Sequence, residues 1–298
     1  MDVIGFGALN LDRLYRVERI AREGEHIAIK DMKESPGGSA ANTIAGLARL
    51  GFNTGFIGAV GDDNEGVTLI EDFRACGVDT RGISILNGRT GVIIGFIDDD
   101  GERTLYPYPG VNSVLGETDL DMDYVRNTGV LHLTSFVDEK QFKLQKKLIQ
   151  ELPDVKISFS PGILYARKGL KALLPVLKKS FVVFLNESEV KEITGLGYEE
   201  GSGLLIEKGA GIVAVTLGKE GCFVRDEGDS HNIPAYSTPV LDSTGAGDAF
   251  ATGFLHTLLR GGSILDAGRK GNRIASLCIQ KIGAREGLPY KKNLEEVL

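Results

Sequence analysis

A chain of 298 residues with 42% apolar content has enough hydrophobic material for a sizeable core. Its net charge of −7, without a long block of one sign, excludes a general nucleic-acid binder, which needs a basic surface to neutralise phosphates. An acidic protein that holds a polyanion must do so with local donors such as backbone N–H groups and a metal. Cys76, Cys222 and Cys278 lie far apart and form no CxxC pair, which excludes a disulfide framework and a zinc site. No stretch reaches the ~18–20 apolar residues of a membrane span, and the start "MDVIGFGALNLD" carries no basic leader region. A soluble, cytoplasmic protein is expected, with neither membrane nor nucleic acid as partner.

In chain order, "DVIGFGAL" reads as a first buried strand. "GGSAANTIAGLARLG" reads as a small-faced helix with a Gly stop, "TGFIGAVG" as a strand and "NEGVTLIEDFRACGV" as a helix. This alternation favours a mostly parallel sheet covered on both faces. Two segments, about residues 11–35 and 87–110, alternate apolar and polar residues and predict a small second sheet; Asp99-Asp100-Gly101 supplies the turn of a hairpin. From "GVLHLTSF" the strand–helix alternation returns, through "VKISFSP", "FVVFLN" and "GIVAVTLG". "GCFVRDEGDSHNIPAY" predicts antiparallel strands, and two helices close the chain. The fold class is α/β, a three-layer sandwich in one domain over residues 1–298. His26, His132, His231 and His256 are scattered and are expected to be structural or exposed.

The stretch "DSTGAGDAF" carries the most chemistry. Phe250, Phe254, Leu255, Leu258 and Leu259 follow at helical spacing, so Gly245, Ala246 and Gly247 lie at a helix N-terminus. N–H groups there lack intrahelical partners, the macrodipole is positive, and small residues admit an anion. Asp248 in the first turn is then placed to take a proton from a hydroxyl attacking a phosphate. A plain capped helix, with Asp242, Ser243 or Thr244 as cap, explains the same pattern. Other phosphate motifs fail. No Walker-type GxxxxGK run is followed by Ser or Thr, no kinase HRD or DFG set is present, and "GFGALN" has Asn10 where a dinucleotide fingerprint needs its third Gly.

"DSTGAGDAFATGF" resembles the C-terminal signature of the PfkB, or ribokinase-like, carbohydrate kinase family, and "GGSAANTIAGLARLG" its N-terminal signature. "GALNLD", "NESE", "VTLGKEGC" and "GNRIASLCIQKIGAREGLP" resemble further family motifs, in family order over nearly the whole chain. The resemblance implies Asp248 as base and Gly245, Ala246 and Gly247 as the anion hole. It implies Asn10, Asp12, Gly37, Gly38, Asn42 and Asn112 as substrate-binding residues. Thr216, Gly218, Gly221 and Asn272 fall on the nucleotide side. Asn186 and Glu189 match the residues that hold Mg2+ through water, Asn186 also serving the nucleotide. Asp242, Thr244, Ala284 and Gly287 match a monovalent-cation site, with K+ the expected ion.

The implied reaction is transfer of the γ-phosphoryl group of ATP to a primary hydroxyl of a pentose or hexose. A nucleoside kinase of the same family and a catalytically silent nucleotide- or sugar-binding protein are the alternatives. "LHLTSF" offers only Thr134 and Ser135 where ribokinase has an acidic substrate residue, which weakens a strict ribose assignment. "SFSPGILYARKG" lacks the F-D-P-N-x-R pattern of sugar-acid and fructokinase-like members. Tyr106, Tyr108 and Tyr165 can stack on a ligand or pack as ordinary lid and loop aromatics. The small sheet is expected to act as a β lid and to pair with a second subunit in a homodimer.

Overall fold

The computed structural model describes residues 1–99 and 103–293, with Arg103 described in its backbone alone. Its strands are β1 (Val3–Phe6), β2 (Asn10–Arg16), β3 (Asp31–Gly37), β4 (Thr54–Gly61), β5 (Ile83–Leu86), β6 (Gly91–Ile97), β7 (Arg103–Tyr108), β8 (Val130–Thr134), β9 (Lys156–Ser160), β10 (Ser180–Asn186), β11 (Val213–Thr216), β12 (Cys222–Arg225) and β13 (Ser230–Ile233). The helices are α1 (Ser39–Arg49), α2 (Asn64–Cys76), α3 (Met122–Arg126), α4 (Glu139–Gln150), α5 (Gly162–Ala166), α6 (Gly169–Leu177), α7 (Glu187–Thr194), α8 (Tyr198–Glu207), α9 (Ala246–Leu258) and α10 (Ile264–Cys278).

Among the described residues, nine strands form one sheet in the order β13-β12-β11-β10-β9-β8-β1-β4-β5. Pairing is parallel from β11 to β5 and antiparallel at β11–β12 and β12–β13. The central strands are apolar on both faces because helices cover both. On β10, Val182 and Phe184 enter the core under α1, α2, α9 and α10, whereas Val183 and Leu185 enter the opposite core under α3 to α8. The result is the expected three-layer α/β sandwich. His132 is sealed inside the sheet, its Nδ1 2.9 Å from Ser158 Oγ, and burial drives its pKa down to about 3.

The two alternating segments form a separate four-stranded sheet, β3-β2-β6-β7. It is mixed: β2–β3 and β6–β7 are antiparallel, but β2–β6 is parallel. β6 and β7 pair as the hairpin pattern predicts, while its turn at Asp99-Asp100-Gly101 falls largely outside the described residues. Asn10, Asp12 and Ile93 point to one face of this sheet; Tyr15, Phe96 and Tyr106 pack together on the other. Among the described residues no helix is long and apolar enough to cross a membrane.

α8 escapes the sequence reading because Gly201 and Gly203 weaken its helical signal. The structure supplies the reason for the first glycine. A Cβ on Gly201 would run into Val190 and Thr194, so glycine lets α8 close on α7.

Candidate active site

The site lies beyond the carboxyl ends of the parallel strands, where ligands of open α/β sheets bind. Asn186 ends β10, Thr216 ends β11, and the two are register partners. The N-terminus of α9 is set by Gly245, whose φ of 76° places it in the left-handed region that glycine tolerates. A Cβ there would also crowd Ala284. The Ala246 N–H donates to the Ser243 carbonyl at 3.2 Å. The Ala249 N–H donates back to Gly245 at 2.8 Å. Helix geometry therefore leaves the N–H groups of Gly247 and Asp248 as the first-turn donors without an intrahelical acceptor. Of the expected residues 245–247, Ala246 has its N–H engaged in the turn, and Gly247 carries a first-turn N–H left without an intrahelical acceptor. A Cβ on the exposed Gly247 would meet nothing, so an anion can come close.

Asp248 is gripped from α1. Ser39 Oγ donates to its Oδ1 at 2.7 Å and Asn42 Nδ2 to its Oδ2 at 2.8 Å. Burial nevertheless dominates and raises its pKa to about 6, against the opposing effect of these two donors and the Arg285 charge. Asp248 as a residue is half-buried. A carboxylate whose proton affinity lies this near neutrality suits general-base chemistry. Ser39 and Arg285 were not singled out as site residues from the sequence; Ser39's place directly after the diglycine is the signal that pointed to it.

The diglycine has two distinct jobs. Gly38 has φ 103°, and a Cβ there would run into the Ala8 carbonyl. Gly37 has no such backbone need, but a Cβ would occupy the space of the Asp12 carboxylate. Asn10 pairs in register with Gly37, so Asn10, Asp12 and the diglycine form one wall. Asn112 is buried and occupied: its Nδ2 donates to the carbonyls of Leu9 at 2.9 Å and Pro109 at 3.0 Å and reaches Asn10 Oδ1 at 3.1 Å, while its Oδ1 accepts from Leu9 N at 3.1 Å. Asn112 thus supports Asn10 and, with it, lines the adjoining cavity. A cavity beside Asn10 is walled by Ile93, Tyr108, Phe136, Val137 and Leu164, with Ser135 and Asp138 at its polar edge. Tyr165 is fully buried against Phe142, so it is a packing aromatic.

A second cavity collects Thr216, Gly218, Gly221 and Asn272 with Ala246, Gly247 and Phe250. Gly221 has φ 100°, and a Cβ would strike the Ile233 carbonyl. Asn272 Nδ2 donates to the carbonyls of Ile233 at 3.0 Å and Pro234 at 3.1 Å, which fixes the chain that borders this cavity. The start of α9 thus lines the second cavity through Ala246 and Gly247, while Asp248 is tied to α1, the helix that follows the diglycine wall.

The sequence model described as "pfkB family carbohydrate kinase" matches residues 2–291. The chain belongs to the pfkB family of carbohydrate kinases. An uncharacterized sugar kinase of Archaeoglobus fulgidus is 40% identical, over 82% of this chain and 98% of its own. The ATP-dependent ribose-1-phosphate kinase of Halopiger xanaduensis is 34% identical, over 95% of this chain and 93% of its own. The structure of Arabidopsis thaliana ribokinase complexed with ribose and ATP superposes with a TM-score of 0.84 at 26% identity, over 99% and 98% of the two chains. The protein is an ATP-dependent sugar or nucleoside kinase with the ribokinase-like fold.

In this kinase Asn186 and Glu189 form a capping box on α7. Asn186 Oδ1 accepts from Glu189 N, and Glu189 Oε2 accepts from Asn186 N, both at 2.9 Å. Oε1 of Glu189 stays outside that pair. Burial raises the Glu189 pKa, and the negative charge of Asp248 adds to it. Two carboxylates whose charges repel one another are a setting that a divalent cation relieves, and their oxygen donors fit magnesium.

Asp242 receives the N–H groups of Thr244 at 2.9 Å and Gly283 at 2.8 Å. This joins the start of α9 to the loop after α10. The carbonyls of Thr244 and Ala284 converge on the Cys278 thiol, at 3.7 and 3.4 Å. Gly287 packs against the end of α10, where a Cβ would run into Leu277 and Cys278. All four residues matched to a monovalent-cation site are thus gathered behind the cradle.

Proposed function

We propose that the enzyme moves the γ-phosphoryl group of ATP to the primary hydroxyl of a pentose, free or carried by a nucleoside. The observation that carries this is Asp248, a carboxylate with a pKa near 6, held by Ser39 and Asn42 behind the diglycine and next to Ala246 and Gly247, which line the second cavity. Asn10, Asp12, Gly37, Gly38 and Asn42 hold the sugar hydroxyls, with Asn112 bracing Asn10. Asp248 removes the proton of the attacking hydroxyl. The N–H groups of Gly247 and Asp248 receive charge on the transferring group. Thr216, Gly218, Gly221 and Asn272 shape the nucleotide side. Asn186 and Glu189 hold Mg2+ through water, and the ion neutralises phosphate charge. Asp242, Thr244, Ala284 and Gly287 hold K+ and so brace the cradle.

The cavity beside Asn10 favours the nucleoside form of that acceptor. Its walls are mostly apolar, and among the described residues no Lys or Arg lines it, so a nucleobase fits there better than a second phosphate. Ribose 1-phosphate, the substrate in the name of the Halopiger relative, is the charged comparison. The four-stranded sheet serves as a lid within a single domain, and its exposed Met32, Ile94, Leu105 and Tyr106 favour pairing with the lid of a second copy in a homodimer. The setting is the cytoplasm, where ATP is abundant. Release of ADP from ATP and Mg2+ is the test, with ribose, fructose, adenosine, cytidine and ribose 1-phosphate as separate acceptors. Turnover on ribose or a nucleoside is expected; turnover on ribose 1-phosphate alone overturns the reading of that cavity, and none with any acceptor favours a binding protein.

A further inference from the structure

Arg285 is only 6% exposed, in the loop after α10, yet its guanidinium reaches three elements. Its Nε donates to Asn42 Oδ1 on α1 at 2.8 Å, Nη1 pairs with Asp72 on α2, and Nη2 approaches the Gly37 carbonyl at 3.4 Å. The group lies over the Phe73 ring, 5.3 Å from its centre. An Asp72–Arg285–Asn42–Asp248 chain of hydrogen bonds therefore runs from α2 through the loop after α10 and α1 to the start of α9. We infer that Arg285 is a positioning residue that fixes the Asn42 amide so that its NH2 group, not its carbonyl, faces the Asp248 carboxylate.

The reasoning rests on what each group can do. The two ends of an amide are alike in shape but opposite in hydrogen bonding. A guanidinium only donates and an ionised carboxylate only accepts. With Arg285 on one side and Asp248 on the other, a flipped Asn42 would set carbonyl against carboxylate and NH2 against guanidinium. Arg285 remains charged whether Asp248 holds a proton or not, so it keeps the amide oriented through the catalytic cycle. Without it, only Asp248 itself opposes the flip, and only while ionised. Asp248 also faces Ser39 on α1, Glu189 on α7 and Cys278 on α10. Of these neighbours, Arg285 is the fixed positive charge, and its loss favours the protonated acid.

The inference depends on Asp248 being the base, and Asp248→Asn separates the two: substantial turnover in that variant removes the base, not the positioning role alone. Arg285→Met should raise the acceptor KM and cut kcat about tenfold or more through misplacement of the base. Its ATP KM should stay within about twofold, because the nucleotide-side cavity is untouched. The acid limb of kcat/KM should move up by about half a pH unit or more. Arg285→Lys, which keeps a donor-only cation, should return the limb toward the wild-type position. If Arg285→Met fails to fold, Asp72→Asn loosens the guanidinium from its far end: the acceptor KM should rise with the ATP KM unchanged, while the acid limb moves down, because the Arg285 charge is then less offset. An unmoved acid limb in the folded variants, or equal losses for both substrates, overturns the inference.

Discussion

Asn42 and Asp248 stand 206 positions apart, and Asn42 Nδ2 lies 2.8 Å from Asp248 Oδ2. That contact joins the two signature motifs into one site: the helix behind the diglycine holds the base that belongs to the helix behind the Gly-Ala-Gly turn. It also sets a conflict. Two donors and a guanidinium favour the charged carboxylate, while burial disfavours it more, and the base ends near neutrality.

Replacing the base is the first test. Asp248→Asn should lose about 10²- to 10⁴-fold in kcat, the usual worth of a positioned base. ATP affinity, measured by calorimetry, should persist. The fold should not suffer: the new amide can offer its oxygen to Asn42 and its NH2 to Ser39, whose hydroxyl accepts as well as donates.

The pH dependence has a definite sign. The Asp248 pKa of about 6 lies above its ordinary value of 3.8, so the folded protein takes up this proton more readily than the unfolded chain. Stability attributable to this group therefore falls as pH rises through that window, and the cost is full above it. Activity runs the opposite way, because the base must be free. kcat/KM should fall below pH about 6. The Tm of Asp248→Asn should equal or exceed that of the wild type at pH 8, with the difference closing toward pH 4. A kcat/KM that stays flat down to pH 5 would contradict the assignment.

Gly37→Ala isolates the acceptor wall. The backbone at Gly37 has ordinary φ, so the fold tolerates alanine, but the new Cβ takes the place of the Asp12 carboxylate. The acceptor KM should rise about tenfold or more through loss of a charge-assisted hydrogen bond, with the ATP KM unchanged. Steady-state kinetics with each substrate varied in turn checks this.

Glu189→Gln separates capping from metal binding. Glutamine can still serve the capping box with Asn186, so α7 and the Tm should hold. The Mg2+ concentration for half-maximal rate should rise several-fold, since an amide oxygen carries no net charge for the ion or its waters. A rate profile that matches wild type across a Mg2+ titration would remove Glu189 from the metal site.

Much of this protein was legible in one dimension. The βα alternation, the glycine-punctuated helix starts and the second sheet are local patterns, and local sterics and periodicity determine them. The glycines at 38, 221 and 245 mark positive φ, a property of the backbone that a sequence displays directly. Helix α8 was hidden in part because Gly201 answers to a neighbouring helix, not to its own helix's propensity. The parallel β2–β6 pairing was hidden too, since register between distant strands depends on the body they pack on.

What only the tertiary structure decided is which groups share space. Asp72, Arg285, Asn42 and Asp248 come from four separate segments, and no periodicity links them. Asn112, matched to the substrate side by its motif, lines the cavity beside Asn10 and also touches the Asn10 side chain, a contact no spacing in the sequence displays. Motifs specify which chemical groups are present and the local backbone that carries them. Proton affinity, amide orientation and the division into two cavities come from burial and from partners that folding delivers across the chain, and those are set by packing alone.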